Sequence, residues 1–313
     1  MGIFIVRRLL LTLPVMAVVA LFVFGLLYVA PGDPAAMIAG DQATPAQIEK
    51  IRVSLGLDQP FAIRFGSWAF AALHGDLGNS LFSGQSVSSM ILQRVPPTLS
   101  LMVLTLLISV AAAVPMGVAA AARQGGIVDR AVSVFAVLGF SLPVFVLGYL
   151  LAYAFALRFG WFPVQGYAPV SLGFGAFIGH LILPALALSG GYIALITRVT
   201  RSTMLEVLSQ DYVRTAKAKG VARRSVLFVH ALKNAALPIV SIVGIGVATL
   251  ISGAVVTETV FGIPGLGRLI VDALLRRDYP IIQGVVLMFS FTYIFVNLAI
   301  DVVYTLLDPR IQY

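Results

Sequence analysis

The amino-acid sequence predicts an all-α integral membrane protein. Six transmembrane helices are expected, with a polar extracytoplasmic segment after the first helix and a polar cytoplasmic loop before the fifth. Hydrophobic residues make up 59% of the 313 residues and charged residues only 11%, whereas soluble domains carry about 25% charged residues. Uncharged apolar runs long enough to cross a bilayer support the same class, and so does the placement of lysine and arginine. The chain contains no cysteine, which excludes disulfides and thiolate metal sites.

The apolar runs define the order of the chain. Arg7 and Arg8 precede the first run, but this run is too long for the apolar region of a signal peptide, so a retained helix is expected. Two domains are predicted: residues 1–94, the first helix plus an extracytoplasmic cap, and residues 95–313, a five-helix core with a loop at about 199–236. The predicted spans are residues 9–30, 95–122, 131–157, 176–197, 237–257 and 281–300.

The basic residues indicate the orientation. With six spans and a cytoplasmic N-terminus, the inside segments hold thirteen lysines and arginines, and the outside segments hold eight, matched by eight acids. An excess of basic residues on the cytoplasmic side is typical of membrane proteins. The net charge of +8 therefore needs no nucleic-acid partner, and both termini are expected in the cytoplasm.

Two short helices are predicted in the cap. Thr44 and Gln47 have the spacing of a capping box, with Pro45 at the first helical position. The helix that they begin should end near Gly56. The run 61–73 is apolar on most faces and could lie along the membrane surface. The sequence GDLGNS at 75–80 then predicts a turn.

The stretch 211–238 is a basic interruption between two apolar spans. Residues 211–219 favour a short helix, Gly220 should end it, residues 225–236 predict a second helix, and Pro238 is expected in the first turn of the next span. The basic charge could follow from topology alone. Small side chains at 216 and 218 instead indicate a surface that a partner can approach closely.

At these residues the chain resembles the permease subunits of binding-protein-dependent ABC importers, in the dipeptide and oligopeptide branch. The family's cytoplasmic loop carries Glu-Ala-Ala, three residues, Gly, and later Leu-Pro. Aligned on Gly220, Arg214 replaces the Glu and Thr215 the first Ala, as in the peptide branch. The resemblance implies that this loop docks in a groove of a separate ATPase. The coupling residues it implies are Asp211, Tyr212, Arg214, Thr215, Ala216, Lys217, Ala218, Lys219 and Gly220.

The stretch 258–284 between the last two spans is the second informative loop. Its glycines do not form a nucleotide-binding loop, because no strand precedes them and Pro264 interrupts the pattern. A tight turn, a short amphipathic helix at 266–275 and a re-entry at Pro280 are expected. The run VF..PGLGRL…RDYP…QG resembles the same peptide branch. The residues expected to face an extracytoplasmic binding protein are Gly262, Pro264, Gly265, Gly267, Arg268, Asp278 and Tyr279.

The sequence can be compared with three classes of membrane protein: a pore-forming permease, a secondary transporter and a protease. The chain has no Gly-Lys pair, so it cannot hydrolyse ATP through a P-loop. An autonomous secondary transporter would need charges inside the spans, and these are almost absent. A membrane-embedded protease lacks nucleophile and metal motifs. A pore-forming permease that is not itself an enzyme fits best.

The resemblance implies the partners and the mechanism. A binding protein delivers substrate from outside, a homologous second permease completes the path, and two ATPases bind ATP and magnesium and drive the change of access. The chain itself needs no cofactor. The expected location is the bacterial cytoplasmic membrane. Peptides are the expected substrate, while related permeases carry nickel chelates, glutathione or oligosaccharides.

Overall fold

Helices are the regular secondary structure in the part that the computed structural model describes, which is residues 2–29, 34–39, 43–54 and 56–307. Within these residues the only β-type pairing is an isolated bridge between Asn79 and Ser86. The α-helices are α1 Gly2–Val29, α2 Pro34–Ala39, α3 Pro45–Ser54, α4 Phe61–Leu73, α5 Val87–Ala122, α6 Ile127–Ser141, α7 Val144–Leu151, α8 Phe174–Leu208, α9 Asp211–Ala218, α10 Arg223–Ser225, α11 Leu232–Val260, α12 Leu266–Arg276 and α13 Tyr279–Leu307.

Among the described residues, four helical runs reach membrane-spanning length, and a fifth does so if one bent pair counts as a single span. The four runs are Val87–Ala122, Phe174–Leu208, Arg223–Val260 and Tyr279–Val303. Within α1, the stretch Leu10–Gly25 is a shorter apolar helix. The predicted class, an all-α integral membrane protein, is confirmed. The number six stays a prediction.

The third predicted span, residues 131–157, is not one straight helix. α6 and the helical run Val144–Arg158 meet at a bend of 102°. Leu142 is extended (φ −90°, ψ 121°) because the ring of Pro143 disfavours helical backbone at the residue before it. After α7 the helix continues as a π-helical stretch over Ala152–Arg158.

The prediction of two separate helices around Pro238 was wrong. α10, a π-helical stretch over Val226–Ala231 and α11 form one run from Arg223 to Val260. Pro238 therefore lies inside α11 rather than in a first turn. Proline inside a transmembrane helix is tolerated where neighbouring groups satisfy the freed carbonyl.

By internal contacts the chain divides into two compact units. The first comprises residues 1–95 and 269–294. In it, Phe24 of α1 packs against the rings of Phe61, Phe65 and Trp68 of α4. The expected capping box is present at α3: the backbone N–H of Thr44 donates to Gln47 Oε1 at 2.8 Å, and the N–H of Gln47 donates to Thr44 Oγ1 at 3.4 Å.

The second unit comprises residues 96–268 and 295–313. α8 is its central element and packs on α6, α7 and α11. Small residues allow these close approaches. A Cβ added at Gly139 would lie 2.9 Å from the carbonyl oxygen of Gly190, and one at Gly246 would overlap the ring of Tyr192.

Candidate functional site

The first candidate surface is α9, the short helix between the two long helical runs of the second unit. It begins after Gln210, whose backbone is extended, and covers eight residues. Lys219 follows, and Gly220 adopts φ +77°, a left-handed conformation that Gly takes without strain. The N–H of Val221 donates to the carbonyl of Ala216 at 3.2 Å. The predicted helix and its glycine stop are therefore present.

One side of α9 holds it to the rest of the unit. Val213 is completely buried, and Ala216, on the same face three residues later, is half-buried. Asn234 of α11 donates an amide N–H to the hydroxyl of Tyr212 at 2.9 Å. α9 packs on the π-helical stretch over Val226–Ala231 and is fastened to α11 by this hydrogen bond.

The opposite side of α9 is exposed. Residues at spacings of three, four and seven share a helix face, and Asp211, Arg214, Thr215 and Ala218 have that spacing and are all exposed. The guanidinium of Arg214 lies 3.5 Å from the carboxylate of Asp211, a surface pair worth less than about 1 kcal/mol. This outward face, rather than Ala216, is what a partner would meet first.

An ion pair joins the start of α6 to α8, in the part of α8 that leads towards α9. Asp129 at the start of α6 accepts two hydrogen bonds from the guanidinium of Arg201 of α8, one of them 2.8 Å long. It also accepts the backbone N–H of Gly125 at 2.9 Å. Asp129 is buried, and a bidentate Arg–carboxylate pair fixes geometry as well as adding energy. The pair holds the 123–130 turn to α8.

The second candidate surface is the turn between α11 and α12, which is built on Glu258. This residue is fully buried. One carboxylate oxygen accepts the hydroxyl of Thr98 at 2.6 Å, and the other accepts the backbone N–H of Arg268 at 3.0 Å. Thr98 Oγ1 in turn accepts the N–H of Leu266 at 2.8 Å. Together they satisfy N–H groups in the first turn of α12, where a negative charge is favoured by the helix dipole.

Two glycines of the turn are required by this contact. A Cβ at Gly265 would lie 2.3 Å from the carboxylate of Glu258, and a Cβ at Gly267 would lie 2.5 Å from the Cα of Val255. Such distances are far below van der Waals contact. The PGLG sequence therefore allows α12 to start directly against α11.

The residues predicted to face a binding protein differ in exposure. Gly265 and Gly267 are buried, Gly262 and Pro264 are half-buried, and Arg268 is exposed, with its guanidinium donating to the carbonyl of Gly262 at 3.3 Å. Of this group in the second unit, Arg268 has the most accessible side chain. The binding-protein role of the whole set stays a prediction.

Asp278 and Tyr279 belong to the first unit, and both are buried. The carboxylate of Asp278 accepts the hydroxyl of Ser80 at 2.6 Å and the N–H of Leu81 at 3.2 Å. Arg277 just before it has φ +57°. The RDYP sequence thus ties the start of α13 to the turn that follows GDLG.

The sequence reasoning missed Glu258, Thr98, Asp129 and Arg201. A signal was available for Glu258, because an ionisable residue at the end of an apolar span is usually engaged in a specific contact. Thr98 and Arg201 carry no comparable local signal.

Comparison with known proteins identifies the family. Residues 113–313 match the model of the binding-protein-dependent transport system inner membrane component, and residues 1–102 match the N-terminal model of such membrane components. The chain belongs to this family. The predicted resemblance to an importer permease is thereby confirmed.

Similar permeases extend over the full length. A probable peptide ABC transporter permease from Sinorhizobium fredii is 52% identical over 313 residues, 100% of both chains. A putative peptide transport system permease from Brucella abortus is 43% identical, covering 99% of this chain and 98% of the relative. The glutathione transport system permease of Salmonella choleraesuis is 40% identical, covering 99% of both chains.

Proposed function

We propose that this permease forms one half of a peptide path across a bacterial cytoplasmic membrane. A homologous second permease forms the other half, a binding protein delivers the substrate from outside, and two separate ATPases supply the energy. Both termini lie in the cytoplasm. The observation that carries the proposal is α9, a short helix fastened on one side and exposed on the other, in a member of this transport family.

The ATPases dock on the outward face of α9. The packing of α9 on the π-helical stretch that leads into α11 and the hydrogen bond between Tyr212 and Asn234 support this assignment, because a force applied to α9 passes to α11 through them. Arg214, Lys217 and Lys219 supply positive charge around the docking face. The small side chains of Thr215 and Ala218 let the partner approach the helix closely. Movement of α8 and α11 then changes which side of the membrane has access to the path.

Replacing Ala218 with Asp tests the docking face. Ala218 is exposed, so the variant should fold and insert normally. On docking, however, an unpaired charge would be buried, which commonly costs several kcal/mol. A loss of about 3 kcal/mol weakens binding more than a hundredfold. We expect co-purification of the ATPases and peptide uptake to be lost.

Ala222→Asp is the matched control, because Ala222 is also exposed and lies just outside α9. This control should retain the ATPases and uptake. Normal retention and normal uptake by Ala218→Asp would contradict docking on this face.

Peptides are the proposed substrate class because the full-length relatives at 52% and 43% identity are named for peptide transport. Glutathione is the second candidate, since a relative at 40% identity is named for it. Titration of the cognate binding protein with dipeptides, oligopeptides and glutathione distinguishes the two. Tight binding of glutathione with no binding of unmodified peptides would contradict the peptide assignment.

A further inference from the structure

The second unit contains a groove whose lining residues have no part in the proposed transport mechanism. It lies between the last turns of α5 and the start of the helical run at residue 223, and its volume is about 410 Å³. Part of its lining is apolar, with Pro115 and Val118 from α5 and Phe228 from the π-helical stretch. The remainder includes three arginines, Arg123, Arg223 and Arg224.

The two kinds of lining lie at different depths along the helices. Arg123 directly follows α5, and Arg223 and Arg224 open the helical run that leads into α11. The α5 residues on the apolar side come before Arg123, and Phe228 comes one turn after Arg224. The groove is therefore basic at the polar end of the helices and apolar toward the membrane-spanning part.

Few hydrogen bonds within the described residues engage the guanidinium groups of these arginines. Arg223 donates one hydrogen bond to the carbonyl of Ala122, which uses one of its five N–H donors. Within the described residues, the side chains of Arg123 and Arg224 form no hydrogen bond or ion pair, and no acidic residue lines the groove. All three arginines are exposed. The groove thus presents positive charge without a counter-ion from this part of the chain.

The sequence of α5 indicates where the groove lies relative to the membrane. Arg123 is the first charged residue after the 28 uncharged residues 95–122, a run more than sufficient to cross the hydrocarbon layer. It therefore belongs at the level of the lipid headgroups. Phe228 is 49% exposed at the same end, where an aromatic ring is well suited to the interface.

We propose that this groove binds the headgroup of an anionic phospholipid, with its phosphate at the arginines and its acyl chains along the apolar lining. Basic pockets between transmembrane helices are suited to anionic headgroups. Arginine favours phosphate because its planar guanidinium makes paired hydrogen bonds to it. A free phosphate would use only the basic end, and an acidic protein surface would leave the apolar end unfilled.

Lipid retention in detergent tests the proposal. The purified permease complex is mixed with phosphatidylglycerol or with phosphatidylcholine of the same acyl chains, and bound lipid is counted by native mass spectrometry. Wild type should retain phosphatidylglycerol in preference. Each basic residue near a membrane surface contributes about fivefold in affinity, so the double variant Arg223→Gln, Arg224→Gln should bind phosphatidylglycerol roughly 30-fold more weakly.

The matched control is the double variant Arg130→Gln, Lys233→Gln. It removes the same charge from exposed positions that do not line the groove, and it should stay within about twofold of wild type. An equal loss in both double variants would overturn the proposal in favour of unspecific charge attraction. No loss in the groove variant would overturn it as well.

A second measurement leaves all the arginines in place. Benzoylphenylalanine replaces Phe228, and the complex is irradiated in vesicles of phosphatidylethanolamine and phosphatidylglycerol at a ratio of 3:1. A crosslinked adduct with the mass of phosphatidylglycerol is expected. Adducts with protein alone would assign the groove to a protein partner and overturn the proposal. Complete competition by an equal concentration of glycerol 3-phosphate would overturn it too, because the apolar lining would then contribute nothing.

Discussion

Glu258 offers a test in which chemistry and shape can be separated. In Glu258→Gln the side chain keeps its size, but an amide NH₂ replaces one of two acceptor oxygens. The N–H of Arg268 can only donate, so the amide oxygen must face it and the NH₂ must face Thr98. Thr98 already accepts the N–H of Leu266 and can accept a second N–H, but its own proton then loses the acceptor it has 2.6 Å away.

The magnitudes follow from this count of bonds. Of the two bonds described, Glu258→Gln loses the one to Thr98 and keeps the one to Arg268, and this loss costs about 1 to 2 kcal/mol. Glu258→Ala leaves both the N–H of Arg268 and the hydroxyl of Thr98 without this acceptor inside a fully buried site, and it also opens a cavity. The expected cost is about 3 to 5 kcal/mol.

The assay is thermal unfolding of the purified protein in detergent, at roughly 2 to 4 °C per kcal/mol. The midpoint should fall by about 2 to 8 °C for Gln and about 6 to 20 °C for Ala. Glu206, which is exposed, is the control: the same two substitutions there should change stability by less than about 0.5 kcal/mol. An alanine variant as stable as wild type, or more stable than the glutamine variant, would refute the bonding scheme.

Two further predictions concern packing and topology. Gly267→Ala should lower the melting midpoint by about 2 to 12 °C, because its Cβ would lie 2.5 Å from the backbone of Val255 and overpacking costs about 1 to 3 kcal/mol. Gly175→Ala, whose Cβ would meet no atom within 4 Å, should not lower the midpoint. Equal melting midpoints of the two variants would contradict the close contact. Single cysteines at Ser83 and Gln124, in a chain that has none, should label from opposite sides of the membrane, and labelling of both by an impermeant reagent in intact cells would contradict the predicted orientation.

Local signals explain what the sequence predicted well. The capping box at Thr44 and Gln47 involves residues three apart, and α4 has the bounds expected from its apolar run. The end of α9 depends on Gly220 alone. In each case the determining contact lies within one helix turn, so a single sequence contains it.

The features that were not predicted depend on contacts between distant parts of the chain. Glu258 meets Thr98 across 160 positions, and Asp129 meets Arg201 across 72. The continuous run through Pro238 likewise departs from local rules, because proline alone favours a helix start. The half-buried position of Ala216 follows from the packing of Val213, which helix propensity cannot show.

The length of α8 determines the surroundings of α9. Residues 174–197 carry no Lys, Arg, Asp or Glu and suffice to cross the hydrocarbon layer. The remaining turns of α8, residues 198–208, carry Arg198, Arg201 and Glu206. They extend about 15 Å further at an average tilt, whereas the headgroup layer on one side is only about 5 to 8 Å thick. The start of α9, which follows the end of α8 by three residues, is therefore held in water beyond the headgroups. A soluble partner reaches it without displacing lipid, and the affinity between these two hydrated surfaces should fall as salt screens their charges.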